Sequence, residues 1–127
     1  MNIVVAGGAG YIGSHTVSVV VANGHSVTVV DHLKLGHRES LSPLPKVELM
    51  VVDIADAEVM TELMNRRRID AVIHFAALSL VGHSMNDPLA YYRNNLPGPE
   101  RFLPALQTQS VQMLVFSCNA PVNVERK

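Results

Sequence analysis

The stretch AGGAGYIGSH, residues 6–15, follows directly on the short apolar run Asn2–Ala6. That run is rich in β-branched residues and predicts a buried strand. The glycines of the stretch fit two spacings, Gly7-x-x-Gly10-x-x-Gly13 and Gly8-x-Gly10-x-x-Gly13. Glycines at either spacing between a first strand and a first helix are typical of a loop that holds the pyrophosphate of a dinucleotide. The stretch therefore predicts a Rossmann-like beginning of the chain.

A carboxylate at the end of the second predicted strand agrees with this interpretation. The run Ser26–Val30 predicts a buried strand, and Asp31 closes it eighteen residues after Gly13. An acidic residue at this position accepts hydrogen bonds from the adenosine ribose and repels a ribose 2′-phosphate. The pair of features therefore favours NAD over NADP.

The remaining sequence continues the alternation of strands and helices. Further strands are predicted at Val47–Val52, within Ile69–Phe75 and at Val111–Ser117, and helices at residues 11–22, from a cap at Asp56 to about Arg67, and from Asp87-Pro88 onward. This alternation predicts right-handed crossovers and a parallel sheet. We expect an α/β, Rossmann-like doubly wound fold of about five strands, with residues 1–127 forming a single NAD-binding domain.

Further candidate residues follow the third and fourth predicted strands. Asp53-Ile54 ends one, and Phe75-Ala76-Ala77 ends the other. Open α/β sheets bind ligands outside the carboxyl ends of their parallel strands. We therefore expect these residues to line the same crevice as the glycine-rich loop and Asp31.

Composition excludes several function classes. The formal net charge is −1, and the chain has one cysteine, so we predict no nucleic-acid partner and no internal disulfide. No apolar stretch is long enough to span a bilayer and the N-terminus does not resemble a signal peptide, which predicts a cytoplasmic protein without a membrane partner. The six histidines lack metal-ligand spacing, so we predict no metal site.

Five segments together resemble the UDP-glucose 4-epimerase branch of the extended short-chain dehydrogenase/reductase family: GGAGYIGSHT, NGHSVTVVDHL, VDIAD, DAVIHFAAL and VGHSMNDPLAYYRNN. The resemblance runs from Met1 to about Ala120. It implies NAD as the cofactor and a set of binding residues: Gly7, Gly10, Tyr11, Ile12, Gly13, Asp31, His32, Asp53, Ile54, Phe75, Ala76, Ala77 and Asn94. His32 stands where the family often has an asparagine beside the ribose.

The family's catalytic residues have no counterparts in this sequence. The resemblance implies a Ser or Thr shortly after the fifth strand and a Tyr-x-x-x-Lys pair further on. Asn119 stands at the hydroxyl position, and no tyrosine is followed by lysine four residues later. The region expected to carry the pair lies past Lys127, as does the sugar-nucleotide-binding part, so we expect a fold truncated relative to the family and assign no catalytic residue.

Two further expectations concern the second half of the chain. Pro97, Pro99 and Pro104 fall where the family has one long helix, and interior prolines should break it. The fifth strand should also lack the sixth strand that covers it in the family, which leaves an edge with unpaired backbone groups. We therefore predict a homo-oligomer.

Three functions remain open on this basis. The first is NAD(H) binding without epimerase activity. The second is an NADH-dependent oxidoreductase acting on a small carbonyl or sugar-like compound. The third is a non-catalytic interaction protein that uses an exposed sheet edge.

Overall fold

A computed structural model describes residues 1–42, 44–75, 103–104, 106–107 and 111–117. Its strands and helices, in chain order, are β1 (Asn2–Ala6), α1 (Tyr11–Ala22), β2 (Ser26–Asp31), a 3₁₀ turn (Arg38–Leu41), β3 (Val47–Val51), α2 (Ala57–Arg66), β4 (Ala71–His74) and β5 (Met113–Phe116). Each of them lies where the sequence predicts an element of its type, apart from the 3₁₀ turn, which falls in a predicted loop.

The five strands form one parallel sheet in the order β3-β2-β1-β4-β5. The chain moves outward from β1 to β3 and then returns to the other side of β1. This arrangement confirms the predicted Rossmann-like α/β fold. Because Ala6 pairs with both Val30 and His74, the carboxyl ends of the three central strands meet at one edge of the sheet.

Burial on both faces of the sheet explains the continuous apolar runs of β1 and β2. In β1, Val4 and Ala6 belong to the core cluster that contains Met60 of α2. Ile3 and Val5 alternate with them and belong to the cluster on the other face, which contains residues of α1. Since neither face of β1 meets solvent, the strand has no polar alternation.

Helices α1 and α2 have the end signals that their sequences predict. Helix α1 stops at Asn23 and Gly24, where Gly24 has φ +86° and its N–H donates to the Val21 carbonyl at 2.9 Å. Helix α2 begins at the cap Asp56, whose Oδ1 accepts the Val59 N–H at 3.2 Å. These local signals fix the helix bounds within a residue or two.

Some predicted bounds are too long. Strand β3 ends at Val51 rather than Val52, because the Val52 N–H donates to the Met50 carbonyl and the chain turns there. The predicted helix from Asp87 lies outside the described residues, as do Pro97 and Pro99. Of the three prolines only Pro104 is described, and its backbone is helical.

In the described part of the chain, no helix combines the length and apolar character needed to cross a membrane.

Candidate functional site

The glycine-rich loop makes a tight turn between β1 and α1. Gly7 adopts φ +76°, a left-handed conformation that favours glycine, and its N–H donates to the Val30 carbonyl at 2.8 Å. The Gly7 carbonyl accepts the Gly10 N–H at 3.2 Å, which closes the turn. The loop is thereby closed on itself and hydrogen-bonded to the end of β2.

Two other glycines allow the loop to pack closely on its surroundings. A Cβ atom on Gly13 would lie 2.2 Å from the Gly7 carbonyl oxygen and 2.8 Å from the Gly8 Cα. A Cβ on Gly8 would lie 2.8 Å from a methyl group of Val29 in β2. The absence of both side chains lets α1 and the loop approach each other and the sheet.

The first turn of α1 is open to a ligand. Gly10 is its N-cap and supplies no side-chain hydrogen bond, and the first turn contains no acidic residue. The side chains of Tyr11 and Ile12 are 84% and 61% exposed. Uncapped N–H groups at a helix N-terminus, together with the positive end of the helix dipole, form a binding site for phosphate groups.

Asp31 lies at the end of β2 beside this loop. Its side chain is buried, with Oδ2 accepting the Ala9 N–H at 3.0 Å and Oδ1 accepting the Leu33 N–H at 2.8 Å. His32 is its neighbour, with 4.0 Å between His32 Nδ1 and Asp31 Oδ1. The Lys34 N–H donates to the same imidazole nitrogen at 3.2 Å. The structure therefore brings Asp31 and His32 together with the glycine-rich loop.

The end of β3 contributes one exposed and one buried candidate. Asp53 is exposed, and its Oδ1 accepts the Ala55 N–H at 2.9 Å, which forms the turn into α2. Ile54 is 7% exposed and packs in the core cluster with Met60 and Leu63. The Ile54 side chain thus faces the core, which leaves its backbone as the group available to a ligand.

Phe75 follows β4 and is half-buried. Its N–H donates to the Ala6 carbonyl at 2.7 Å, and its ring packs against the core cluster on the α1 side of the sheet. It therefore lies at the same sheet edge as the glycine-rich loop. The remaining candidates, Ala76, Ala77 and Asn94, lie outside the described residues.

Below this edge, the last residue of β4 is a buried histidine. The His74 ring is 1% exposed and stacks on Phe116 of β5, with 4.8 Å between the ring centroids. Burial lowers the pKa of His74 below 6.5, and a backbone hydrogen bond offsets part of this effect. The imidazole is therefore neutral at pH 7 and acts as a packing group.

Two residues of the site were missed in the sequence. Ala9 bonds to Asp31 through its N–H, and Gly36 approaches both of these residues. A glycine five residues after the strand-ending aspartate was the available signal. Among the described residues, no group of three or more His, Cys, Asp or Glu side chains is placed to hold a metal ion.

Comparisons with known proteins agree with this geometry. Residues 3–122 match the model of the NAD dependent epimerase/dehydratase family. The chain is 41% identical over 127 residues to a UDP-glucose 4-epimerase of Lacticaseibacillus casei, covering all of this chain and 38% of that enzyme.

Solved structures of such enzymes share the fold. A UDP-glucose 4-epimerase from Stenotrophomonas maltophila, with bound NAD and formylated UDP-arabinopyranose, superposes with a TM-score of 0.91 at 40% identity, covering 99% of this chain and 40% of that one. The enzyme from Bifidobacterium longum, in complex with NAD+ and UDP, gives 0.89 at 31% identity, covering 96% of this chain and 38% of that one. The chain thus spans about two fifths of the length of these relatives. It belongs to the NAD dependent epimerase/dehydratase family.

Proposed function

We propose that this chain binds NAD(H) at the carboxyl edge of its sheet. One observation carries the proposal: an uncapped helix N-terminus behind a glycine turn lies beside a buried carboxylate that backbone N–H groups hold in place. The relatives from Stenotrophomonas maltophila and Bifidobacterium longum, whose structures contain NAD, support it.

The glycine-rich loop, the first turn of α1 and Asp31 have separate roles in this proposal. The missing side chain of Gly10 leaves space for the pyrophosphate, and the first-turn N–H groups of α1 donate to it. Asp31 accepts hydrogen bonds from the ribose hydroxyls and repels a 2′-phosphate, which favours NAD over NADP. Bound NAD would supply a hydride acceptor, and NADH a hydride donor.

We also propose that these 127 residues do not epimerise sugar nucleotides by themselves. The sequence contains no Tyr-x-x-x-Lys pair, so it lacks the acid–base group that the family resemblance implies. Incubation with UDP-galactose and NAD should yield no UDP-glucose, and turnover that survives removal of any contaminating enzyme would overturn this proposal.

Neither the described residues nor the named relatives favour the oxidoreductase alternative over cofactor binding. We retain a cytoplasmic location as part of the proposal, and the single cysteine, which allows no internal disulfide, is consistent with a reducing compartment.

A titration of NADH fluorescence tests the cofactor proposal. We expect wild-type protein to bind NADH and Gly10→Val to lose this binding, because the added methyl groups occupy the space for the pyrophosphate. A Cβ at Gly10 has the Gly7 carbonyl oxygen as its nearest neighbour at 3.4 Å, an ordinary contact, so the backbone accepts a side chain there.

Thr61→Val serves as the control because it also introduces valine but lies in α2, away from the glycine-rich loop. This variant should bind NADH like the wild type. Equal NADH affinity in Gly10→Val and wild type would refute the assignment of the glycine-rich loop to the cofactor.

A further inference from the structure

The loop that follows β2 crosses the glycine-rich loop at Gly36. A Cβ atom on Gly36 would lie 2.9 Å from the Ala9 Cβ, 3.0 Å from the Ala9 carbonyl carbon and 3.0 Å from Asp31 Oδ2. Any side chain at Gly36 would therefore push the crossing loop away from Ala9 or displace the carboxylate.

The peptide groups of Ala9 join the two loops at this crossing. The Ala9 N–H donates to Asp31 Oδ2 at 3.0 Å, and the Ala9 carbonyl accepts the His37 N–H at 3.0 Å. We call Ala9, Asp31, Gly36 and His37 the loop clamp. The phosphate-facing loop and the ribose-facing carboxylate thus belong to one bonded unit.

The clamp leaves acceptor capacity on the carboxylate. Each oxygen of Asp31 accepts one backbone N–H, from Ala9 or Leu33, whereas an ionised carboxylate offers about four lone-pair sites. Acceptor sites therefore remain for the two neighbouring hydroxyls of a ribose. Because the carboxylate is already held in place, ligand binding does not carry the entropic cost of ordering it.

We propose that Gly36 is a positioning residue for ribose recognition: its missing side chain lets the loop clamp close and orient Asp31 toward the hydroxyls of an adenosine ribose. This inference rests on the proposed NAD binding and extends it to a residue outside the set of binding residues predicted from the sequence.

Calorimetric titration with ADP and 2′-deoxy-ADP tests the inference, because the ratio of the two Kd values reports on one hydroxyl. Wild-type protein should prefer ADP roughly tenfold, the effect of one hydrogen bond to a charged group. In Gly36→Ala this ratio should fall to near one. A general loss of stability would weaken both ligands alike and leave the ratio unchanged.

Glu39→Ala is the matched control, since Glu39 is exposed and lies in the 3₁₀ turn that follows the clamp. It should keep the wild-type ratio. A folded Gly36→Ala that also keeps this ratio would overturn the inference. If wild-type protein binds neither ADP nor NADH, the cofactor proposal fails. If it binds ADP and 2′-deoxy-ADP equally, NAD(H) binding stands, but the ribose role of Asp31 and the present inference both fail.

A measurement on the wild type covers the case in which Gly36→Ala does not fold. In amide NMR spectra, the Ala9 and His37 signals should shift on ADP addition with one common Kd and shift much less with 2′-deoxy-ADP. ADP binding that leaves both signals unmoved would contradict the coupling of the two loops.

Discussion

Gly10 and Gly13 lie in the same loop, but different neighbours constrain them. A side chain at Gly13 would collide with backbone atoms of Gly7 and Gly8, whereas one at Gly10 would meet only an ordinary contact at 3.4 Å. The fold therefore requires glycine at position 13, and the proposed ligand requires it at position 10.

This difference predicts that the same substitution changes stability by different amounts at the two positions. Gly13→Ala should lower the free energy of unfolding by about 2 kcal/mol, because backbone atoms must move to accommodate the new methyl group. Gly10→Ala, the matched control, should change it by less than about 1 kcal/mol, as expected for a change at a helix N-cap. Urea denaturation of both variants measures this, and equal losses of stability would contradict the distinction.

The sequence indicated the roles of the glycines in the glycine-rich loop but not the role of Gly36. The spacing of Gly7, Gly10 and Gly13 indicated their roles because a strand–loop–helix junction has few possible geometries. Gly36 could not be assigned in the same way, since its role depends on the path by which the loop after β2 returns to Ala9. Loop paths are set by contacts between segments distant in sequence, which local patterns do not report.

At the scale of elements, the contact between β4 and β5 contains a buried ionisable ring. His74 stacks on Phe116, and burial lowers the pKa of His74 in the folded chain. The unfolded chain therefore binds this proton more readily than the folded chain. The contribution of His74 to the free energy of unfolding is therefore fully present above about pH 6.5. It is lost as the pH falls toward the lowered pKa of His74 in the folded state.

We accordingly expect the free energy of unfolding to decrease as the pH is lowered from 7.5 to about 5.5, within the range where an ordinary histidine titrates. His74→Leu should show a smaller decrease because it removes the buried ionisable group. His15→Gln, at an exposed position on α1, should retain the wild-type dependence. Denaturation curves at several pH values measure the difference, and a decrease in His74→Leu as large as in the wild type would refute it.

Elements were easier to predict than their arrangement. Continuous apolar runs and helix-end residues such as Asp56 and Gly24 located the strands and helices because these signals are local. The order of strands in the sheet was not predicted, since a run buried on both faces, such as β1, has the same pattern whichever strands lie beside it. Strand β5, predicted at Val111–Ser117, spans only Met113–Phe116, the four residues that pair with β4.

At the scale of the whole molecule, one side of the sheet stands out. All four residues of β5 are exposed, with values of 41–52%, although they form the apolar run MLVF. β5 is the outermost strand beside β4 in the described sheet, and residues 111–117 contain no charge. An uncharged apolar edge strand is prone to pair with another chain.

We therefore propose that two copies associate through β5 at micromolar concentration. Leu114→Lys should shift sedimentation toward the monomer, because a charge on the edge strand opposes pairing. Val51→Lys, at an exposed position on the opposite edge strand, is the matched control and should leave association unchanged. Analytical ultracentrifugation showing monomeric wild-type protein would contradict the proposal.

The central position of β1 also affects the order in which the sheet can be completed during synthesis. β1 emerges before the other described strands and can pair with β2 early. Its other neighbour, β4, lies much later in the chain, and the Asn2 N–H donates to Asp70, 68 residues away, just before β4. The edge of β1 that pairs with β4 stays unpaired until β4 has been synthesised. A nascent chain paused between residues 51 and 71 would consequently present an apolar strand with one unpaired side, a stage at which non-native pairing competes with folding.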